Sequence, residues 1–426
     1  MLRFAAGIAG DMHISDLRVA LFNYLVAKQR GEDFIIRIED IDKKRAIEGK
    51  DQELLDLLAL FGIEYSQIIH QSQNLKFYAA MALQLLHEKK AFSCFCSDEW
   101  LAKKRAEAQE ADKDYFYDDA CRDLPAELVI DNTAPFRVRI VRPDSAIVLH
   151  DKIKGDISFD PDTIDSFVIM HQNKTATDTF AAAIDDMLSD ISAIVCSEDH
   201  VKKSAQEIYI REQLGYKKEI EYAHIPTLVT DKEDENIRVK YLLEEGYLPE
   251  AISNYLISIG NTLPQEIFTL QEAKEWFTFK DIGTKAVSFD LQKLKEINKA
   301  HLQKMDAIEL SRYVGFADAE IGELARLYLE ELNTTRELKL KIAPIFEDRK
   351  IPEVLKEQVQ NITEVMKQAP YFESYDAFKR YIIDKSNLNE DEFEKSLRIV
   401  LTNAQEGPKL VLIYKYLKNY IGEIVK

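Results

Sequence analysis

The run Arg3-Phe4-Ala5-Ala6-Gly7-Ile8-Ala9-Gly10-Asp11-Met12-His13-Ile14-Ser15-Asp16 leads into an apolar-periodic segment, and Phe34-Ile35-Ile36-Arg37-Ile38-Glu39-Asp40 follows it. Strand, loop, helix, strand is the order of the nucleotide-binding unit in doubly wound sheets. Behind Asp16, residues Leu17, Ala20, Leu21, Tyr24 and Leu25 recur at helical spacing. Gly31 is the expected stop. The Phe34–Ile38 run is short and β-branched, and apolar except at Arg37, as expected of a parallel strand buried on both faces.

Working outward, the 426 residues predict several domains. Hydrophobic residues make up 46% of the chain, enough for sizeable cores. No run of 18 apolar residues occurs, so no transmembrane helix is predicted, and the N-terminus lacks the pattern of a secretory signal. Four cysteines in so long a chain do not form a disulfide framework. A cytoplasmic location is expected. The net charge of −19 disfavours nonspecific adhesion to nucleic acid.

The texture changes along the chain. Between about 86 and 180 lie short strand candidates (Phe136–Val141, Ala146–Leu149, Ser166–Met170) and a charged helix near 98–111. This region reads as an insertion between two halves of the sheet. Ala181–Ile194 is helical and then strand-like. From about 245 onward amphipathic segments such as Ala251–Ile259 and Ser396–Thr402 dominate. The expected fold is therefore α/β: a Rossmann-like doubly wound parallel sheet with an α+β insertion, then an α-helical C-terminal region.

In order and spacing, several segments resemble the bacterial glutamyl-tRNA synthetases, a class I aminoacyl-tRNA synthetase family. They are LRVALFNYL at 17–25, RIEDIDKKR at 37–45, DSFVIM at 165–170, AIDDMLSDIS at 183–192, SEDH at 197–200, YLLEEGYLPEAISNYLISIGN at 241–261 and LRIVLTNAQEGPKL at 397–410. The resemblance implies five parts. These are a first catalytic half over 1–85, an acceptor-binding-like insertion over 86–180 and a second half over 181–240. A helical stem-contact region over 241–320 and an anticodon-binding-like domain over 321–426 complete the chain. It also implies glutamate, ATP with magnesium, and tRNA as partners, and a monomer.

The residues expected to touch substrate are a mixture of retained and replaced. By resemblance His13 contacts the phosphates, and Gly10 with His13 belongs to the ATP loop. Arg3 pairs with the side-chain carboxylate of glutamate, and Glu39 with its ammonium group. An ion pair near a strand end is the alternative for each of the last two, and a surface-loop histidine for His13. Ser15 stands where the family has glycine, and Asp16 is expected to cap the helix as its N-cap while repelling a triphosphate. The family's stiff Ala-Pro-Ser-Pro-Thr-Gly loop is Ala5–Gly10 here. Its second arginine is Cys196, read here as a small buried hydrophobe. A tyrosine and an asparagine of the pocket are Asp178 and Thr179, and Asp178 is expected to repel a substrate carboxylate. After His224-Ile225-Pro226, the cationic Lys-Met-Ser-Lys-Arg loop is replaced by the acidic run Asp231-Lys232-Glu233-Asp234-Glu235-Asn236.

Cys94, Cys96 and Cys121 follow the spacing with which some members of the family bind structural zinc, with Tyr117 or Asp123 as fourth ligand. Arg37, Lys43, Lys44, Arg45, Lys202 and Lys203 are candidates for tRNA phosphate contact, or solvated surface charges.

Two functional expectations follow. One is a synthetase scaffold with a degraded active site and little or no aminoacylation, retaining residual tRNA binding. The other is a working glutamate–tRNA ligase that proceeds through a glutamyl-adenylate.

Overall fold

The computed structural model describes residues 1–230 and 237–426. The acidic run at 231–236 lies outside the described residues.

The opening unit forms as its pattern dictates. Strand β1 (Leu2–Gly7) leads through the loop to helix α1 (Ile14–Arg30), and β2 (Phe34–Glu39) pairs with β1 in parallel register, Leu2 opposite Phe34 through Gly7 opposite Glu39. In α1 the side chains of Leu17, Ala20, Leu21 and Leu25 are fully buried. Each such leucine contributes about 1.5–3 kcal/mol. Gly31 ends the helix at φ 64°, a left-handed conformation that glycine adopts without a Cβ penalty. Asp16 is not the N-cap. The helix begins at Ile14, so His13 caps it, accepting the Ser15 N–H, and Asp16 accepts the His13 N–H as the other half of a capping box. Arg18 is buried on the same helix and donates to the carbonyls of Pro226, Leu256 and Ile259.

The chain continues through α2 (Lys50–Leu60), β3 (Gln67–His70) and α3 (Leu75–His87). Next come β4 (Ala91–Cys94), α4 (Asp98–Glu110), the single turn α5 (Ala126–Ile130), β5 (Arg137–Ile140), β6 (Ile147–Asp151), β7 (Gly155–Phe159) and β8 (Val168–Met170). Helix α6 (Asp178–Leu188), β9 (Ala193–Ser197), α7 (Val201–Gln213) and β10 (Glu221–Ile225) complete the sheet region. Seven strands form one sheet in the order β3-β2-β1-β9-β10-β6-β7. All neighbours are parallel except the hairpin β6–β7. The expected α/β fold is thus present as a mixed, mainly parallel sheet.

The insertion differs from its expected form in one respect. Only β4, β5 and β8 make a separate antiparallel sheet. The β6–β7 hairpin joins the main sheet, because Leu149 and Ile157 pack with Ile194 and Tyr222.

The chain divides into two compact units. The first holds residues 1–239 and 256–289 and contains both sheets just described. The second holds residues 240–255 and 290–426 and is helical. In it Gly322 lies so close to the Ala307 backbone that a Cβ would overlap the carbonyl, so the helix Ala319–Tyr328 needs glycine there. Farther along, Phe378 stacks on Tyr414 at 4.6 Å within a core that includes Ile382, Phe393 and Leu397.

One buried carboxylate ties the sheet to α6. Asp186 takes a bidentate pair from Arg3 on β1 (2.9 and 3.1 Å) and a 2.6 Å bond from Arg37 on β2. Burial would raise its pKa, but the two arginines outweigh that and bring it down to about 2. Replacing Asp186 with alanine strands two buried guanidinium groups and is expected to lower stability by about 3–5 kcal/mol in urea unfolding. In the parent protein the unfolded state takes up the Asp186 proton first. The stabilisation is therefore complete above the ordinary aspartate pKa of about 4 and is lost as pH falls toward 2. A pH series should show this loss in the parent and its absence in Asp186→Ala.

Candidate functional site

The first two strands of the sheet run outward from β1 on one side, and β9 and β10 run outward on the other. The order reverses between β1 and β9, which is where open α/β sheets bind ligands. A cavity of about 530 Å³ lies there, lined by Arg3–Ala5 of β1 and Ile194–Ser197 of β9. Glu39 comes from the end of β2, and His13, Ser15 and Asp16 from the start of α1. The first turns of α7 supply Lys203, Ser204 and Glu207. The structure therefore brings Arg3, His13 and Glu39 to one cavity.

Gly10 lies apart from them, on a neighbouring cavity with Asp11, Lys50 and Glu53. Its backbone is not left-handed and a Cβ would meet open space, so this turn does not itself require glycine. Asp178 is the exposed first residue of α6, next to its Thr177 cap. It lines a small recess with Glu39 and Arg45, not the wall carrying Arg3 and Cys196.

The walls differ in charge. Arg3 turns Nε and Nη2 onto Asp186. Cys196 is 8% exposed, and burial pushes its thiol up to about 12 against the pull of Arg3, so it is neutral at pH 7. Burial would also raise Glu39, but Arg37, Lys203 and Arg3 hold it below the usual carboxylate range, so it is an anion in the cavity. At the opposite wall Ser15 Oγ bonds His13 Nδ1 at 2.7 Å, and His13 pairs in a β-bridge with Arg238. Burial raises Asp16 above its ordinary pKa, with the His13 N–H opposing. Arg238 lines the same cavity, its Nη1 held by the Asp11 carbonyl at 3.0 Å.

Sequence reasoning missed Arg238, Glu207 and His200 as cavity residues. The signal for Arg238 was its nearness to the rejoined pattern at Val239-Lys240-Tyr241; for Glu207 it was helical spacing from Lys203. The cavity floor is held by a buried chain: Ser204 Oγ to His224 Nε2 at 3.0 Å, and His224 Nδ1 to Asp151 at 2.7 Å. Of the six cations proposed for phosphate contact, Arg37 is buried on Asp186, while Lys43, Lys44, Arg45 and Lys202 are exposed.

A second cluster lies in the insertion. The sulfurs of Cys94, Cys96 and Cys121 are within 4.8 Å of one another, Cys96 and Cys121 at 3.5 Å. Sulfurs on a tetrahedral ion at about 2.3 Å stand about 3.8 Å apart, so the group can close on a metal. Tyr117 Oη is 3.4 Å from Cys94 Sγ and 3.5 Å from Cys96 Sγ, and it accepts the Cys121 N–H. Asp123 is not in the cluster. Arg139 stacks 3.8 Å over the Tyr117 ring. Burial alone would raise Cys94, but the Tyr117 hydroxyl and Arg139 bring it below its ordinary value, which favours a thiolate ligand.

Residues 1–296 match the family model for the catalytic domain of class I tRNA synthetases (E and Q). The chain belongs to this family. It is 57% identical to glutamate–tRNA ligase 2 of Sulfurimonas denitrificans and 44% identical to glutamate–tRNA ligase 1 of a Nitratiruptor species, each over the full length of both chains. Its fold matches a crystal structure of a glutamate tRNA ligase from Elizabethkingia meningosepticum in complex with its amino acid. The TM-score is 0.80 at 22% identity, covering 99% of this chain and 97% of that one. No helix among the described residues is long and apolar enough to cross a membrane.

Proposed function

We propose that this synthetase is a tRNA-binding member of the glutamate–tRNA ligase family in which the activation of glutamate is slow. The observation that carries this reading is at the β9 wall. The thiol of Cys196 offers no charge, and Arg3 already shares two of its nitrogens with Asp186. A carboxylate entering there meets one guanidinium edge where the family presents two arginines. The lost bidentate partner costs about 2–4 kcal/mol. Loss of the cationic loop adds a further two to three orders of magnitude. The five-part division at 85, 180, 240 and 320, a monomeric state and a cytoplasmic location belong to the same proposal.

The test is ATP–pyrophosphate exchange and glutamylation of tRNA by the purified protein, with ATP, magnesium, glutamate and tRNA titrated separately. Exchange is expected at least about a hundredfold below that of a synthetase carrying the full cationic set. Cys196→Arg should raise exchange about tenfold or more. Turnover within tenfold of an ordinary synthetase would overturn the proposal.

That last outcome belongs to a second reading, a working glutamate–tRNA ligase using ATP, glutamate and tRNA. It is favoured by the relatives' names at 57% identity over the full length and by the positive charges of Arg238 and Lys203, which line the cavity with His13 and suit a phosphate.

In the insertion, Cys94, Cys96, Cys121 and Tyr117 are proposed to hold a structural zinc ion, which would brace a core made of little more than Phe92, Leu101 and Tyr117. Elemental analysis should find about one zinc per chain, and Cys121→Ser should abolish it. Fully folded protein without zinc would remove this assignment.

A further inference from the structure

We infer that Glu207 is a specificity residue of the amino-acid seat: as a neutral carboxylic acid it donates its O–H to the side-chain carboxylate of glutamate, beside Arg3. The inference rests on the reading above, in which the β9 wall receives that carboxylate, and deepens it by naming a second donor there.

Two buried acids stand near Arg3, and only one of them is paired. Asp186 takes two bonds from Arg3 and one from Arg37, with Arg211 Nη1 4.0 Å away. Glu207 lies on α7, one turn after Lys203 and one turn before Arg211. It is 4% exposed and lines the cavity with Arg3 and Cys196. It makes no hydrogen bond or ion pair among the described residues, and Arg211 turns instead to the Tyr222 hydroxyl on β10. An unpaired carboxylate in so dry a place is costly, and a carboxyl there keeps its proton. Burial and the charge of Asp186 raise the Glu207 carboxyl above its ordinary value, while Lys203, Arg3 and Arg211 pull the other way.

The donors at this wall are then countable. Arg3 has used Nε and Nη2 on Asp186, which leaves Nη1 with no hydrogen bond among the described residues. Glu207 offers its O–H. Ser204 offers nothing, because its Oγ is engaged with His224 Nε2 at 3.0 Å, and His224 Nδ1 with Asp151 at 2.7 Å. Cys196 is a neutral thiol. A carboxylate satisfies both donors, one oxygen on Arg3 and the other on Glu207, and an O–H to a charged oxygen is among the stronger hydrogen bonds. Two carboxyl groups in contact do not both ionise, so the proton stays on Glu207 while glutamate is bound. One neutral donor replaces a charged fork only in part, so this role is compatible with slow activation. Glutamate therefore binds the protonated form. Its affinity is full below the Glu207 pKa of the free protein and falls by up to about tenfold per pH unit above it.

The experiment is isothermal titration of the full-length protein with L-glutamate, without ATP or tRNA, in steps from pH 6.0 to 8.5. The dissociation constant is expected to rise at least about tenfold over this range. Glu207→Gln keeps a donor but cannot ionise, so its dissociation constant should stay within about threefold throughout and be the smaller of the two at pH 8.5. Glu207→Leu, which fills the space without a donor, should weaken binding at pH 6.0 at least about tenfold. Circular-dichroism melts confirm that both variants are folded. Asp16, His13 and His200 line the same cavity and are unchanged in Glu207→Gln. A pH slope that survives in that variant belongs to them and would overturn the inference. A flat parent profile would do so too, as would a folded Glu207→Leu that binds as tightly as the parent. Each of these leaves the glutamate seat standing. Absence of glutamate binding at tens of millimolar and pH 6.0 would remove the seat and this role together. Efficient glutamylation would overturn slow activation alone.

Discussion

The carboxylate of Asp186 is the interaction on which the site depends. It receives guanidinium groups from two adjacent parallel strands, Arg3 from β1 and Arg37 from β2, in a region closed to water. Its neighbour Asp185 faces the other way and binds Tyr78, Gln71 and Asn74. Two consecutive acids on α6 thus fasten that helix both to the centre of the sheet and to the segment around α3. Ion pairs so deeply buried add little net stability over an apolar packing of the same volume. Their effect is to fix where the arginines point. Because Asp186 takes two nitrogens of Arg3, a ligand in the cavity meets only the remaining edge of that side chain.

Charge in the cavity is balanced group by group. Acids at Asp16, Glu39, Asp199 and Glu207 share it with cations at Arg3, Arg37, Lys203 and Arg238. Arg238 puts a positive charge beside His13 in the cavity. Along β9 the neutral thiol of Cys196 stands in the same cavity as Arg3 and Glu207. In a confined site of low dielectric, whether a charge is already paired matters more than the total charge.

The insertion shows the same division at smaller scale. The fold gathers the thiols of Cys94, Cys96 and Cys121, and of the two further candidates the hydroxyl of Tyr117 is the one that lies among them. Burial of the Tyr117 ring under Arg139 places its hydroxyl among the sulfurs.

Local pattern alone was sufficient for the elements: the periodicity of Leu17–Leu25, the β-branched run at Phe34–Ile38 and the stop at Gly31 depend on neighbours a few residues away. The family resemblance likewise singled out Arg3, His13 and Glu39, which do meet at one cavity. Other features were decided by contacts between segments distant in the chain. The cap at His13 arose because the helix starts a turn early, and the β6–β7 hairpin joined the main sheet because its apolar face had partners there. Asp178 lies apart from the wall of Arg3 and Cys196, as the first residue of a helix capped by Thr177. Arg37 was drawn inward by Asp186, 149 residues away. A side chain's partner depends on what folding places against it. For that reason the sequence singled out Arg3, His13 and Glu39, while the rest of the cavity's lining, and which of its groups are already paired, were set only by the tertiary structure.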